Sequence, residues 1–421
     1  LVAASSDPYR SDTQWLRADV DAFLAQRARD AGVPVLEGTE VVGLSRRDGR
    51  WRVRARGPDG AVGLRADFLV DATGNGGAPL PPEAPDREPH RPPDEAARRS
   101  GGDLPLHTRT RALYGHFRGL PRWAEIVRER GGSTDDHPFS CDEAALHHVL
   151  DGGWLWELRF NDGRVSAGLV LDLDRHGDDP AASAAEEWRR LLAPYPTLAR
   201  RFAAAEFVDP PGRIVRTGRL QRLADRAAGP GWAMLPSSAG FVDPLHSTGI
   251  AHTLSGVERV VGLLDEHGPH PPEAALGRYG RSVLRELEFV DRLVAPCYEA
   301  LPSFRGWVTA AKLYFAAATR YERLRHRGGA EAEPGAPNRP AFLCSDDREL
   351  HRIAEATRKR AAQWPSGKRP SEDRVTTLER ALEEALEPYD EVGLFDPDVP
   401  RMHPHAAAPA PGVDAGRGSP P

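Results

Sequence analysis

Gly240-Phe241-Val242-Asp243-Pro244-Leu245-His246-Ser247-Thr248-Gly249-Ile250 is the stretch that decides how this 421-residue chain reads. An apolar approach, Trp232 to Leu235, leads in. Ile250, Leu254, Val257, Val260, Val261 and Leu264 lead out, at spacings that put one apolar stripe on a helix beginning near Thr248-Gly249. Such a start presents free backbone N–H groups and the positive end of the helix dipole, which suit an anion or the electron-rich edge of a cofactor. Gly249 removes the Cβ that would keep a ligand away, and Pro244 presets a turn after Asp243. On local physics alone the run also reads as an ordinary capped helix behind a proline turn.

Composition narrows the classes. With 40% hydrophobic and 28% charged residues the chain reads as a soluble globular protein with a core large enough for two closely packed domains. A net charge of −6 leaves no basic footprint for nucleic acid. No apolar run is long enough for a membrane span. Cys141, Cys297 and Cys344 are widely spaced, in no metal-ligand pattern, and read as free thiols of a reducing compartment, which points to the cytoplasm. No metal site is expected. The basic residues are almost all arginine, with lysine only at 312, 359 and 368, as expected of GC-rich coding.

Upstream of the deciding stretch, residues 18–31 read as an amphipathic helix with Val20, Phe23, Leu24, Ala28 and Ala31 on one face. A short strand at 33–36 follows, then a meander over 41–45, 51–56 and 61–65, joined by Asp48-Gly49 and Asp59-Gly60 turns. Phe68-Leu69-Val70 then reads as a buried strand running into Asp71-Ala72-Thr73-Gly74. Helix, strand, meander and a strand ending in a glycine turn suggest a dinucleotide-binding fold with an insertion, whose ligands sit at the carboxyl ends of strands.

These runs together resemble the flavin-dependent halogenases, of which the tryptophan halogenases are one branch, and their FAD-dependent monooxygenase relatives. Phe241 to Ile250 matches the family pattern F-[IV]-[DE]-P-L-x-S-T-G-[IV]. Arg17 to Leu24 matches R-x-x-[FLV]-D-x-x-L, Leu69 to Gly74 the D-A-T-G turn, and Gly153-Trp154-Leu155-Trp156-Glu157-Leu158 the W-x-W-x-[IL]-P signature, with Arg159 where the family has proline. The resemblance implies an α/β fold: an FAD-binding, Rossmann-like domain of the glutathione reductase type, an antiparallel-sheet substrate domain and C-terminal helices. It implies FAD held by Arg17, Asp71, Gly74, Asp243, Pro244, Ser247, Thr248, Gly249 and Ile250, with the Thr248-Gly249 backbone beside the isoalloxazine and a chloride or bromide ion. Trp154 and Trp156 fall on the substrate side; they also read as two core residues packing one face of a strand. His246, the one catalytic candidate, stands where tryptophan halogenases carry a glutamate that takes the substrate proton; it reads either as a base near neutral pH or as a capping or cofactor-edge residue.

No G-x-G-x-x-G loop for the pyrophosphate is found, and the Gly74-Asn75-Gly76-Gly77 cluster runs into proline-rich sequence instead of a helix. Because the chain opens on Leu1 and the family's catalytic lysine would lie upstream, the expected organisation begins with an incomplete first part of the FAD domain (1–78). A substrate sheet domain (79–212), the second part of the FAD domain (213–265), a helical region (266–400) and a disordered tail (401–421) follow. Within them, 79–108 reads as a surface excursion. Strands are expected at 113–117, 153–160 and 165–171, and helices at 184–192 and 196–204, the second over the substrate side. A strand-like return is expected at 213–220, and further helices at 278–300, 307–323, 349–363 and, behind a Ser371 cap, 371–386, with a linker at 328–340. His147 and His148 are adjacent and read as structural.

The implied function is an FAD-dependent oxidoreductase of secondary metabolism that halogenates an aromatic or phenolic substrate, free or carrier-bound, through a flavin hydroperoxide, with a separate flavin reductase as partner. The alternatives are a hydroxylating monooxygenase or isoprenoid reductase and, in another class, a non-catalytic remnant of the fold.

Overall fold

The computed structural model describes residues 2–4, 14–74, 104–134, 140–177, 182–331, 340–365, 368–397 and 402–404. β1 (Val2–Ala4) pairs in parallel with β16 (Met402–Pro404), so part of the expected tail is a strand. α1 (Arg17–Asp30) forms as expected, but none of its residues is buried, and Phe23 and Leu24 are 63% and 53% exposed. Residues 33–36 are irregular, not a strand, because no neighbouring strand pairs with them. β2 (Glu40–Arg47), β3 (Arg50–Gly57) and β4 (Gly60–Ala66) make the meander. Asp48 and Gly49 both have positive φ, as a two-residue hairpin with right-handed strand twist requires. Trp51 anchors this sheet by donating its indole N–H to the Gly231 carbonyl at 2.7 Å.

β5 (Leu69–Asp71) is less buried than expected: Val70 is exposed and only Asp71 is sealed in. The substrate sheet follows: β6 (Thr110–Arg118), helices α2 (Trp123–Glu129), β7 (Leu146–Leu150), β8 (Gly153–Arg159) and β9 (Val165–Asp172). It is antiparallel, ordered β10-β6-β9-β8-β7 with β10 (Glu206–Phe207), while β11 (Val215–Arg219) also pairs with β6. β7 was not foreseen, and it puts both histidines on a strand. The surface excursion read at 79–108 lies outside the described residues except at its end. There Leu106 and Thr108 are buried and the Asp291 carboxylate accepts the His107 and Thr108 N–H groups, which is core structure.

The two faces of the sheet have different cover. Leu113, Phe117, Leu155, Leu169 and Leu171 face Trp188 of α4 (Ala184–Leu192) and Leu198 and Phe202 of α5 (Pro196–Ala203), after the single turn α3 (Leu173–His176). α5 therefore covers the face opposite Trp154 and Trp156, because alternation sends Leu155 one way and the tryptophans the other. Trp154 and Val170 join the larger core, built with the C-terminal helices.

After β12 (Arg222–Leu223) and β13 (Ala228–Gly229), β14 (Trp232–Met234) pairs in parallel with β5. α6 (Pro236–Ala239) and β15 (Gly240–Phe241) lead to α7 (Gly249–His267). Most of the expected apolar stripe of α7 points outward (Ile250, Leu254, Val257 and Val261, with Leu254 54% exposed); only Val260 of it is buried, with His252, Ser255 and Gly256, while Leu264 packs partly on the core. The inward face is small because Gly256 rides directly on Pro236. α8 (Glu273–Ala300), α9 (Phe304–Glu331), α10 (Arg348–Ala362) and α11 (Glu372–Leu386) complete the helical layer. α9 runs into the expected linker as far as Glu331. Ser371 precedes α11 without a side-chain capping bond; Asp347 caps α10 instead, accepting from the Glu349 and Leu350 N–H groups.

Candidate active site

The parallel pair β5·β14 brings two separated motifs together. Leu235 N–H bonds to the Asp71 carbonyl at 2.9 Å, and Gly74 N–H bonds to Ser238 Oγ at 3.0 Å. Asp71 is buried, and one carboxylate oxygen accepts the Thr73 N–H and hydroxyl, which shapes the D-A-T-G turn; Gly74 closes it at φ 61°. Both motifs thus leave the carboxyl ends of neighbouring parallel strands, where such sheets take ligands.

The turn into α7 is held from within. Asp243, 5% exposed, accepts the Leu245 N–H on one oxygen (3.1 Å) and the hydroxyls of Thr110 (2.8 Å) and Tyr298 (2.9 Å) on the other. Burial pushes its pKa up to about 7. Ser247 N–H returns to the Pro244 carbonyl, and Ser247 takes φ 53°. Thr248 is buried and α7 begins at Gly249 with no side chain capping it. Ser247, Gly249 and Ile250 are exposed, and a Cβ built on Gly249 would meet no atom within 4 Å. Gly249 thus leaves open space at the uncapped start of α7, with room for a planar group to approach. These residues fit the flavin end of FAD.

The turn is tied through Tyr298 to an aromatic cluster, since Tyr298 bonds both Asp243 and Trp154. Trp154 and Trp156 share one face of β8, their rings 6.0 Å apart. Trp156 lies over Gly168 of β9, where a Cβ would stand 2.1 Å from the indole, so only glycine lets the ring lie flat there. His147, across from Trp156 on β7, sets its ring edge-on to Trp154 at 4.9 Å. His246 stacks on Tyr314 at 4.2 Å with Nε2 3.9 Å from Cys297 Sγ. Burial holds both imidazoles unprotonated, His147 down to about 4 and His246 down to about 3. Chemically, the cluster combines aromatic faces with two neutral nitrogen bases.

Arg17 stands apart: its guanidinium is exposed and bonds Asp21 one helical turn on. His148 points to the other side of β7 and bonds Glu157 at 3.0 Å, beside Arg201. Lys312 lies over the Phe395 ring at 4.1 Å. A cavity of about 570 Å³ lined by Arg109, Asp172, His176, Tyr298 and Glu299 includes none of residues 241–250 in its lining. Among the described residues no three His, Cys, Asp or Glu side chains are placed to hold a metal, and no helix is long and apolar enough to cross a membrane. Sequence reasoning missed His147, Thr110, Gly168 and Tyr298. The alternation of Leu146-His147-His148-Val149 against the tryptophan strand could have found His147; nothing in the sequence singled out the other three.

Residues 136–303 match the tryptophan halogenase family model. The chain is 25% identical over 401 residues to monodechloroaminopyrrolnitrin halogenase PrnC of Pseudomonas fluorescens, covering 90% of this chain and 65% of that protein. It is 25% identical over 427 residues to tetracycline 7-halogenase of Kitasatospora aureofaciens, covering 93% and 70%. Among solved structures, halogenase PltM in complex with phloroglucinol and FAD superposes with a TM-score of 0.70 at 20% identity, covering 89% of this chain and 73% of PltM.

Proposed function

We propose that this chain is a flavin-dependent halogenase, which halogenates an electron-rich aromatic or phenolic substrate of secondary metabolism using FAD and chloride or bromide. One observation carries the reading: an open, uncapped helix start at Thr248-Gly249 follows a turn that Tyr298 ties by hydrogen bonds to the Trp154–Trp156 strand. When bound, FAD supplies the oxidising equivalents from oxygen. The protein's part is to seat the flavin edge against the α7 N-terminus, stack the substrate ring on Trp156 and present His246 Nε2 as a proton acceptor. A flavin reductase supplies reduced cofactor, and the substrate arrives free or on a carrier; the setting is the cytoplasm. Hydroxylation is the second reading, favoured by Arg159 in place of the signature proline.

The test supplies reduced FAD, oxygen, bromide or chloride and a phenolic acceptor, with mass spectrometry of the product. A halogenated ring is expected; a halide-independent hydroxylated product overturns the reading in favour of a monooxygenase. Gly249→Val should fold normally, since its side chain enters open space, yet lose FAD affinity by fluorescence titration. A folded variant with parental affinity would remove Thr248-Gly249 from the site.

A further inference from the structure

Tyr298, near the end of α8, touches both halves of the candidate site. Its oxygen accepts the Trp154 indole N–H at 2.9 Å, and its own proton goes to Asp243 Oδ2 at 2.9 Å. The direction is fixed, because an indole N–H can only donate. The hydroxyl therefore has one acceptor duty and one donor duty, both to buried residues. On one side, Trp154 sits 6.0 Å from Trp156, the platform assigned to the substrate. On the other, Asp243 uses its second oxygen to hold Leu245 N–H and so shapes the turn that ends at Thr248-Gly249. Thr110 Oγ1 also donates to Asp243, and Gln221 Nε2 holds Thr110 Oγ1 and the Val242 carbonyl at 2.7 Å each. This network ties strand β6 to the turn but does not reach the tryptophans. The side-chain bridge from the tryptophan strand to the turn runs through Tyr298.

We propose that Tyr298 is a positioning residue that keeps the Trp154–Trp156 strand in register with the Asp243 turn, so that a ring on Trp156 and a flavin at Thr248-Gly249 stay aligned. The assignment rests on the halogenase reading. Loss of the bridge should therefore reduce how efficiently oxidised flavin is converted into product, beyond any loss of folded protein.

The experiment compares parent, Tyr298→Phe, Trp154→Phe and the double variant. FAD affinity is measured by fluorescence titration, and the ratio of halogenated product to reduced FAD oxidised is measured at saturating phenolic acceptor. Removing one neutral hydrogen bond typically weakens an interaction about two- to twelve-fold; Tyr298→Phe removes both bonds of the hydroxyl, so it should weaken FAD binding and lower the product ratio by at least about twofold. A residue that only supported the fold would lower the amount of active protein and leave the ratio per bound flavin unchanged. Phenylalanine at 298 strands the Trp154 N–H in the core; if the single variant does not fold, the double variant removes that donor and carries the same loss of the bridge. A folded variant with the parental affinity and ratio overturns the positioning role. A parent that binds no FAD, or that makes no halogenated product, instead overturns the function on which it rests.

Discussion

At the scale of single residues, environment decides what His147 and His246 are. An ordinary histidine titrates near about 6.5; burial lowers these two to about 4 and about 3. The folded protein thus binds fewer protons than the unfolded chain between those values and 6.5, so their contribution to stability is complete above 6.5 and is lost as pH falls through 4 and 3. Asp243, raised to about 7, acts in the opposite sense: its contribution is complete below the ordinary carboxylate value and is lost as pH rises through 7. Between pH 6.5 and 4.5 the two histidines outweigh the one carboxyl by about one proton, which sets an upper bound of roughly tenfold in the folding constant per pH unit. Denaturant midpoints over that range should fall with acid, and should fall less in His147→Asn. Equal slopes in the two proteins would show that His147 is not held neutral by the fold. The histidine pair was half legible in the sequence: position 246 stood out within its motif, whereas the effect of burial at 147 depends on tertiary neighbours such as Trp307 of α9, its ring 6.4 Å away.

At the scale of elements, α7 shows how packing overrides pattern. Its hydrophobic stripe reads inward by periodicity, yet Ile250, Leu254, Val257 and Val261 face outward. The contact that sets its axis is a glycine: a Cβ on Gly256 would come within 2.3 Å of Pro236 Cδ, a ring that cannot swing aside. Gly256→Ala gains about 1 kcal/mol of helix propensity but incurs about 1–3 kcal/mol of overpacking, so the melting temperature should drop. Gly262 lies on the same helix with no atom within 4 Å of its would-be Cβ. Gly262→Ala should therefore raise the melting temperature, by up to about 1 kcal/mol in stability. Finding the two variants alike would mean that α7 is not seated on α6 through Gly256.

At the scale of the whole molecule, a buried carboxylate clamps the cofactor side to the helical layer. Glu286 of α8 accepts from His252 (2.9 Å) and from both terminal nitrogens of Arg259 on α7 (2.9 and 2.8 Å), and from the Phe342 N–H at 3.2 Å. Burial opposes its charge, but His252 and Arg259 hold its pKa below the usual carboxylate value. Glu286→Ala would strand these donors and should cost about 3–5 kcal/mol. Glu286→Gln, which keeps an acceptor, should cost less; thermal denaturation of the pair distinguishes charge from shape, and a mild alanine variant would show that the clamp contributes little.

The sequence by itself determined the parts whose rules are local. Turn glycines placed the meander, alternation placed Trp154 and Trp156 on one face, and the Asp243-Pro244 turn placed the start of α7 at Gly249. Each depends on dihedrals and spacing within a few residues. Tertiary structure alone decided which faces are covered. It left α1 and most of the stripe of α7 exposed, sent α5 to the far side of the sheet, and left 33–36 without a partner strand, because burial belongs to a pair of surfaces and a single segment carries only one of them. It also decided the polar core of the site. Trp154, Asp243 and Tyr298 lie far apart along the chain, and a tyrosine on an apolar helix face looks like any core aromatic until folding brings an indole N–H to its oxygen and a carboxylate to its proton.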